Sequence, residues 1–555
     1  MNKKVCSFPI LFALLALLIG TCAVVFPASA QAAPTSTGSI TVSGTVARSY
    51  DAYQIFSANV VDGDSDAKIA TDLAWASDAV RDAALPVLHS AGMPKSQTTA
   101  QEAAEWLNTD SHLTSALSAQ LARSLQSSGA VPVALNAGTA AELSCGYWLI
   151  VADDDAIAQG EAGTAPIMAL VGGGAVTVKL KAATPKVAKH VLEDSTAAWQ
   201  KAADATVADD LYWRLSATVP AGLTAYDTYT VRFVDTMSAG LDPSKVAASM
   251  HVYVAAGADS GFDAVQTSKD GRAGTEPAKG WTDITAQCAT KVAADGTFTV
   301  RTGDLIAALG GADAFTAGAR VVAVYNAPLN SACSHGIAKG NPNEVYLRYP
   351  RSPLADQSGD AGFTHTPSDD ACAYTWDLAL TKRGSDGDKP LAGAVLCIAD
   401  DRGRTLAADG TWDAEGKATV TTGEDGRVTV SGVDSGKLEV SELKAPKGYT
   451  AFEGSRSVTV KAEGLDVDQV AAAKPKLTIT AESPLRADSA DGSTGSLKAS
   501  LINTPTGTPP SITTGGFMPS TGDMAMYAAV AAAVAGAALI VVALLVKRGG
   551  GSHKE

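Results

Sequence analysis

Short runs of period-two alternation, closed off by Gly, Pro, Asn and Asp, recur through the middle of this chain and leave room for little but thin β-strands. Gly38-Ser39-Ile40-Thr41-Val42 alternates in this way, as do Val187-Ala188-Lys189-His190-Val191 and Val345-Tyr346-Leu347. Thr, Val, Ala and Gly dominate long stretches and aromatic residues are only 6%, which favours many strands over one large aromatic core. At roughly 150 residues per domain, the 555 residues suggest three or four domains. Hydrophobic residues at 46% exclude a disordered chain, and a net charge of −15 argues against a nucleic-acid partner, which would require a basic face.

The two ends set the compartment. Lys3 and Lys4, an apolar run from Phe8 to Phe26, and Ala28-Ser29-Ala30 make residues 1–30 a secretory signal with its cleavage site. Met524 to Val546 carries no charge and, at 1.5 Å per residue, reaches about 34 Å as a helix, enough to cross a bilayer core. Lys547 and Arg548 follow, so residues 547–555 read as a cytoplasmic basic tail with the bulk of the chain outside. Pro505, Gly507, Pro509, Pro510, Gly515 and Gly516 mark the preceding stretch, 507–523 including the motif below, as a spacer.

Directly before the span stand Met518-Pro519-Ser520-Thr521-Gly522. This pentapeptide, in the order pentapeptide, apolar span, basic tail, resembles the C-terminal sorting signal of Gram-positive surface proteins, usually Leu-Pro-x-Thr-Gly. Met518 replaces Leu with a side chain of similar volume. The resemblance implies a sortase partner that cuts between Thr521 and Gly522 and passes the Thr carbonyl to an amine of peptidoglycan or of a neighbouring subunit. The helix then serves as a transient membrane anchor, and the product is a secreted, wall-attached surface protein.

Between the ends the chain divides at 182 and at 368. Residues 31–182 carry strand-like segments and, from Thr98 to Ser128, an Ala-, Leu- and Gln-rich stretch with helical spacing, read as a helical insertion in a β-domain. In residues 183–368, Lys186-Val187-Ala188-Lys189, Tyr229–Thr236, Val322–Ala327 and Gly340–Leu347 follow one another in an order that resembles the second domain of isopeptide-forming fimbrial proteins. In residues 369–506, Leu378-Ala379-Leu380-Thr381-Lys382, Ser441–Tyr449 and Leu501-Ile502-Asn503 resemble the collagen-adhesin B-type repeat, a prealbumin-like sandwich of pilins. Leu443 stands where that family usually has Thr. The implied fold class is mainly β: tandem Ig-like or prealbumin-like sandwiches, a helical insertion in the first and a C-terminal transmembrane helix.

Such a chain outside the cell needs a staple, and cysteine does not supply a framework. Once Cys6 and Cys22 leave with the signal, Cys145, Cys288, Cys333, Cys372 and Cys397 remain. A single pair, Cys288–Cys333 or Cys333–Cys372, is left open, and Cys397 reads as a buried free thiol. No metal-like Cys/His spacing occurs, and no cofactor is implied.

Both resemblances imply instead a lysine–asparagine isopeptide bond, made when a neutral amine attacks a side-chain amide beside a protonated carboxyl. An apolar interior favours both protonation states. The third module then supplies Lys382 as nucleophile, Asn503 as acceptor and Glu442 as proton carrier. The second supplies Lys189, Asn343 and Asp235, with Lys186 and Asn341 as neighbours that keep the choice open. Alternation places Val187, Lys189 and Val191 on one face and favours Lys189, while Asn341, before Pro342, reads as a turn residue.

Backbone pilins present a Tyr-Pro-Lys-like motif whose lysine accepts the next subunit. Here Val176-Thr177-Val178-Lys179-Leu180-Lys181 lacks Tyr and Pro, and Lys181 aligns best. The expected function is a wall-anchored pilus subunit, with a monomeric adhesin on the same stalk as the alternative. An enzyme is not expected: Gly-x-Ser-x-Gly and His-Glu-x-x-His are both missing. A host or cell-surface ligand is left open.

Overall fold

The computed structural model describes residues 37–44, 49–63, 67–109, 111–180, 184–221, 223–257 and 280–507. The signal, the sorting motif, the expected membrane helix and Lys181 lie outside the described residues. Among the described residues, no helix is long and apolar enough to cross a membrane.

The first module holds a three-stranded sheet built on Thr37–Ser43 and a five-stranded sheet built on Ser49–Asp62 and Gly146–Ala152. Its helical insertion contains Ala100–Asn108 and Ser115–Gln126, within the stretch expected to be helical, and a further helix, Asp78–Ser90. Thr99 and Glu102 close a capping box at one N-terminus, and Thr114 and Ser77 cap the other two. Sequence reasoning missed Asp78–Ser90 because Pro86 lies inside it, a residue that usually ends a helix. The three helices cover one face of the five-stranded sheet through Leu88, Leu107, Leu121 and Leu125.

The second module is a sandwich of two sheets. One runs in the order Ala198–Gln200, Val187–Glu193, Tyr212–Thr218, Arg320–Asn326, His251–Ala255, Trp281–Asp283. The other runs Ala202–Asp204, Asp369–Tyr374, Asn341–Pro350, Arg232–Met237, Thr297–Arg301, Ala289–Val292, with Phe363–His365 beside Asn341–Pro350. Alternate residues of both sheets fill the space between them, Trp213 and Tyr325 from the first and Phe233, Phe298, Val345 and Leu347 from the second.

The third module is also two-layered. Trp376–Gly384 lies between Arg427–Val433 and Ser496–Pro505, and it pairs with the latter in parallel. The facing sheet centres on Val395–Ala399, Gly436–Lys444 and Ser455–Glu463. Cys397 is half-buried here; Leu396 and Ile398 hold the core side of the same alternation, which reverses its expected burial. All five described cysteines are free thiols.

One boundary moves. Asp369–Tyr374, placed in the third module by a division at 368, pairs with Asn341–Pro350 and Ala202–Asp204 in the second. Its alternation serves both sides: Ala371 and Ala373 enter the second core, Cys372 and Tyr374 the third. A strand whose two faces are both buried carries no composition break to mark a boundary. The joint is closed further by Trp376 Nε1 donating to Asp204 (2.6 Å) and by a bidentate Arg404–Asp209 pair. Gly432, at φ +70°, presses on Val207 so closely that a Cβ there would stand 2.3 Å from its side chain.

Candidate functional site

Two clusters of buried polar groups lie between sheets, one in each of the last two modules. In the third module, Lys382 comes from the first strand, Asn503 from the last and Glu442 from the opposite sheet. Parallel pairing sets Lys382 opposite Leu501 and Gly384 opposite Asn503, which brings both polar side chains to one end of the layer. Lys382 is fully buried, and the Asn503 and Glu442 side chains are almost so. The Lys382 Nζ donates to Asn503 Oδ1 and lies 3.2 Å from Glu442 Oε1. Asn503 Nδ2 donates to both Glu442 oxygens, at 2.9 and 3.0 Å, and the Phe452 N–H donates to Oε2. The carboxyl thus holds the amide by its nitrogen while the carbonyl faces the amine. Burial pulls the Lys382 amine down to about 8, against the opposing pull of Glu442.

In the second module, Lys189 reaches across from the first sheet to Asp235 and Asn343 on the second. Register places Asp235 opposite Val345 and Met237 opposite Asn343, so the carboxyl and the amide lie diagonally on one face. All three side chains are completely buried. The Lys189 Nζ donates to Asp235 Oδ2 and to Tyr325 Oη (2.9 Å). Tyr325 Oη also donates to Asp235 Oδ2 (3.1 Å) and accepts from Asn343 Nδ2 (2.9 Å). Asp235 Oδ1 and Asn343 Oδ1 are left without a hydrogen-bond partner, a costly state for buried oxygens. Burial lowers Lys189 to about 8, opposed chiefly by Asp235, and raises Asp235, opposed by Lys189. Trp213 and Tyr325 present their rings within 5.6 Å of the amine.

Each expected residue has a definite place. Lys186 is exposed, and Asn341 is buried elsewhere. The Asn341 Nδ2 donates to the Ser334 and Ala373 carbonyls and its Oδ1 accepts from the Ser334 N–H, on a strand rather than in the expected turn. Asp235 lies within a strand. Lys179 is exposed at the end of the first module. Tyr325 is the participant that sequence reasoning missed: within Val322-Ala323-Val324-Tyr325 an aromatic residue reads as ordinary core. Its alternation with Ala323 was the available signal, since it directs the hydroxyl between the sheets.

Comparison with known proteins gives the following. The family described as SpaA, prealbumin-like fold domain, matches residues 377–474, a segment that includes Lys382 and Glu442 and stops short of Asn503. The chain is 29% identical over 143 residues to the trypsin-resistant surface T6 protein of Streptococcus pyogenes serotype M6, covering 24% of each. It thus spans about a quarter of that relative's length. Among solved structures, the T6 backbone pilin of the same serotype aligns with TM-score 0.47 and 17% identity over 86% of this chain and 100% of the other. The major pilin SpaD of Corynebacterium diphtheriae aligns with TM-score 0.41 and 15% identity, over 84% and 98%. Residues 377–474 therefore match a prealbumin-like fold domain of the SpaA type, in a chain that is in part similar to a streptococcal surface protein.

Proposed function

We propose that this chain is a wall-anchored pilus subunit whose second and third modules each close an intramolecular isopeptide bond, Lys189–Asn343 and Lys382–Asn503. The observation that carries this reading is the Lys382 amine donating to the Asn503 carbonyl inside a buried core, with Glu442 on the amide nitrogen. In each module the neutral amine adds to the amide carbon, the carboxyl shuttles protons, and the C–N bond of the amide breaks. Lysine and asparagine side chains become a secondary amide, and one ammonia leaves. Two carboxylate–amine–amide sets held by packing supply the proximity such a reaction needs. It is a single turnover within the fold, not catalysis on a substrate.

The sequence order of signal, sorting motif, apolar span and basic tail supports export, cleavage by sortase at Thr521–Gly522 and attachment to peptidoglycan or to the next subunit. A monomeric wall-anchored adhesin is the second reading, favoured by the missing Tyr-Pro before Lys181; a covalent ladder on an immunoblot of wall extracts separates the two.

The test of the bonds is intact mass. The full-length chain, allowing for any removed leader, is expected to weigh two ammonia molecules less than its sequence. Lys189→Ala and Lys382→Ala should each restore one. A wild-type chain at full sequence mass would falsify both bonds.

A further inference from the structure

The strand that carries Lys189 is incompletely paired. Tyr212–Thr218 pairs with one edge from Val187 to Val191, but on the other edge Ala198–Gln200 reaches only Val191 to Glu193. Among the described residues, no strand pairs with that edge at Lys189, and the backbone N–H and C=O there find other partners. A half-buried ion pair supplies them. The Lys189 N–H donates to Asp369 Oδ2 (2.6 Å), and the Lys189 C=O accepts from Lys201 Nζ (2.9 Å). Lys201 in turn donates to the same Asp369 oxygen.

The two residues are themselves anchored. Lys201 stands where the chain crosses between sheets, with Gln200 in one and Ala202 in the other. Its carbonyl accepts from the Cys372 N–H at 2.9 Å. Its third ammonium proton goes to the Asp370 carbonyl at 3.1 Å, so all three donors are used. Three hydrogen bonds thus fix the position of this ammonium. Asp369 pairs with Val345, two residues from Asn343 on the acceptor's own strand, in the row that also holds Asp235.

We infer that Lys201 and Asp369 are positioning residues for the second-module bond: a charged clamp that grips the nucleophile's N–H and C=O along one edge and ties them to the strand beside Asn343. The inference rests on the proposed Lys189–Asn343 bond. Neither residue touches the reacting atoms. Their effect comes through the placement of Lys189, where small displacements carry large rate costs because amine and amide must meet at near-attack distance.

The experiment follows the full-length chain made by cell-free translation, quenched at intervals and digested with trypsin. The branched peptide joining Lys189 and Asn343 is quantified against the Lys382–Asn503 peptide of the same molecules. Asp369→Ala and Lys201→Met are expected to slow the second-module bond at least about tenfold while the third-module bond forms at its normal rate. Asp369→Asn, which keeps an oxygen for the Lys189 N–H, should recover part of the loss. Asp369 raises the Lys189 amine and Lys201 lowers it, so in the double variant Asp369→Ala/Lys201→Met the two opposing charges leave together and the pH at half-maximal rate should stay where wild type has it. Wild-type rates in Asp369→Ala and Lys201→Met would overturn the clamp and leave the bond standing. Equal slowing of both bonds would overturn it as a general folding defect, and a shifted pH midpoint in the double variant would overturn it in favour of a direct electrostatic role. A wild-type chain without the branched peptide would overturn the proposed bond itself.

Discussion

Lys382 and Asn503 are 121 positions apart, yet they sit on adjacent parallel strands with the lysine amine donating to the asparagine side-chain carbonyl. The first and last long strands of the third module are thereby placed so that one covalent bond would close the whole module.

Glu442→Gln keeps the size of the side chain and removes its capacity to take up and return a proton. The third-module bond should then be missing, raising the mass by one ammonia relative to the wild-type chain after allowing for the substitution. The loss of a loop closure of about 120 residues should cost roughly 4–5 kcal/mol by the chain-entropy treatment used for disulfides. Trypsin should cut this module first, whereas equal trypsin resistance in the variant would sink the assignment.

Tyr325→Phe removes the hydroxyl shared by Lys189, Asp235 and Asn343. The second-module bond should form more slowly or not at all while the third forms normally, as read by peptide mapping. Loss of the hydroxyl also leaves buried partners unsatisfied, so thermal stability should fall by about 1–3 kcal/mol.

Bond formation should accelerate with pH. Both amines are depressed from 10.5 to about 8, so the neutral form needed for attack shrinks as pH falls through that value. Between pH 7 and pH 6 the rate should drop by close to tenfold if the amine alone titrates. The sign for stability is the same before the bond closes: a depressed folded value means stability present at high pH and lost as pH falls through about 8. Rates from quenched samples that stay flat from pH 6 to 8 would contradict this.

The joint between the last two modules should respond in the opposite sense. Glu193 lies there with Asp194, Asp204 and Asp434, in a cleft also lined by Asp209, Asp400, Asp401, Arg402, Arg404 and Lys437. Burial, then the nearby Asp204, pushes Glu193 up to about 7, and burial raises Asp434 well above its ordinary value. A raised folded value gives stability that is present at low pH and lost as pH rises through about 7. Melting of the joint should therefore be higher at pH 5 than at pH 8, by roughly 2 kcal/mol for the carboxyl cluster that Glu193 heads. Glu193→Gln should flatten that slope in calorimetry across the same range.

Thr521→Ala should leave the chain in the membrane fraction or shed it to the medium, because the acyl-transfer centre of the sorting motif is altered. Undiminished covalent attachment to purified wall would remove sortase from the proposed function.

The polar clusters were largely legible in the sequence because a lysine or carboxyl on the core side of an alternating strand is rare. Alternation favoured Lys189 over Lys186 for that reason, while Lys382 and the partners of both lysines came from motifs that resemble those of isopeptide-forming proteins. Tyr325 and the Lys201–Asp369 pair were not legible. A tyrosine in a β-strand reads as apolar filler, and a lysine at a sheet crossover reads as solvent-exposed, until register shows which edge of a neighbouring strand is unpaired. The strand Asp369–Tyr374 escaped for a related reason: pattern shows that a face is buried, not which of two cores buries it.

That shared strand has a mechanical meaning. With both proposed bonds closed, tension would enter the second module at Lys189, leave it at Asn343 and enter the third at Lys382. The stretch 343–382 would then bear load with no covalent bypass, and drawn out straight it would span roughly 130 Å. Yet Asp369–Tyr374 lies within it, pinned by alanines on one side and by Cys372 and Tyr374 on the other. To pay out that slack the strand must shear from two cores at once. A filament of such chains would be a series of unyielding beads joined by stiff dampers that give way only under heavy drag and can re-zip when the drag stops.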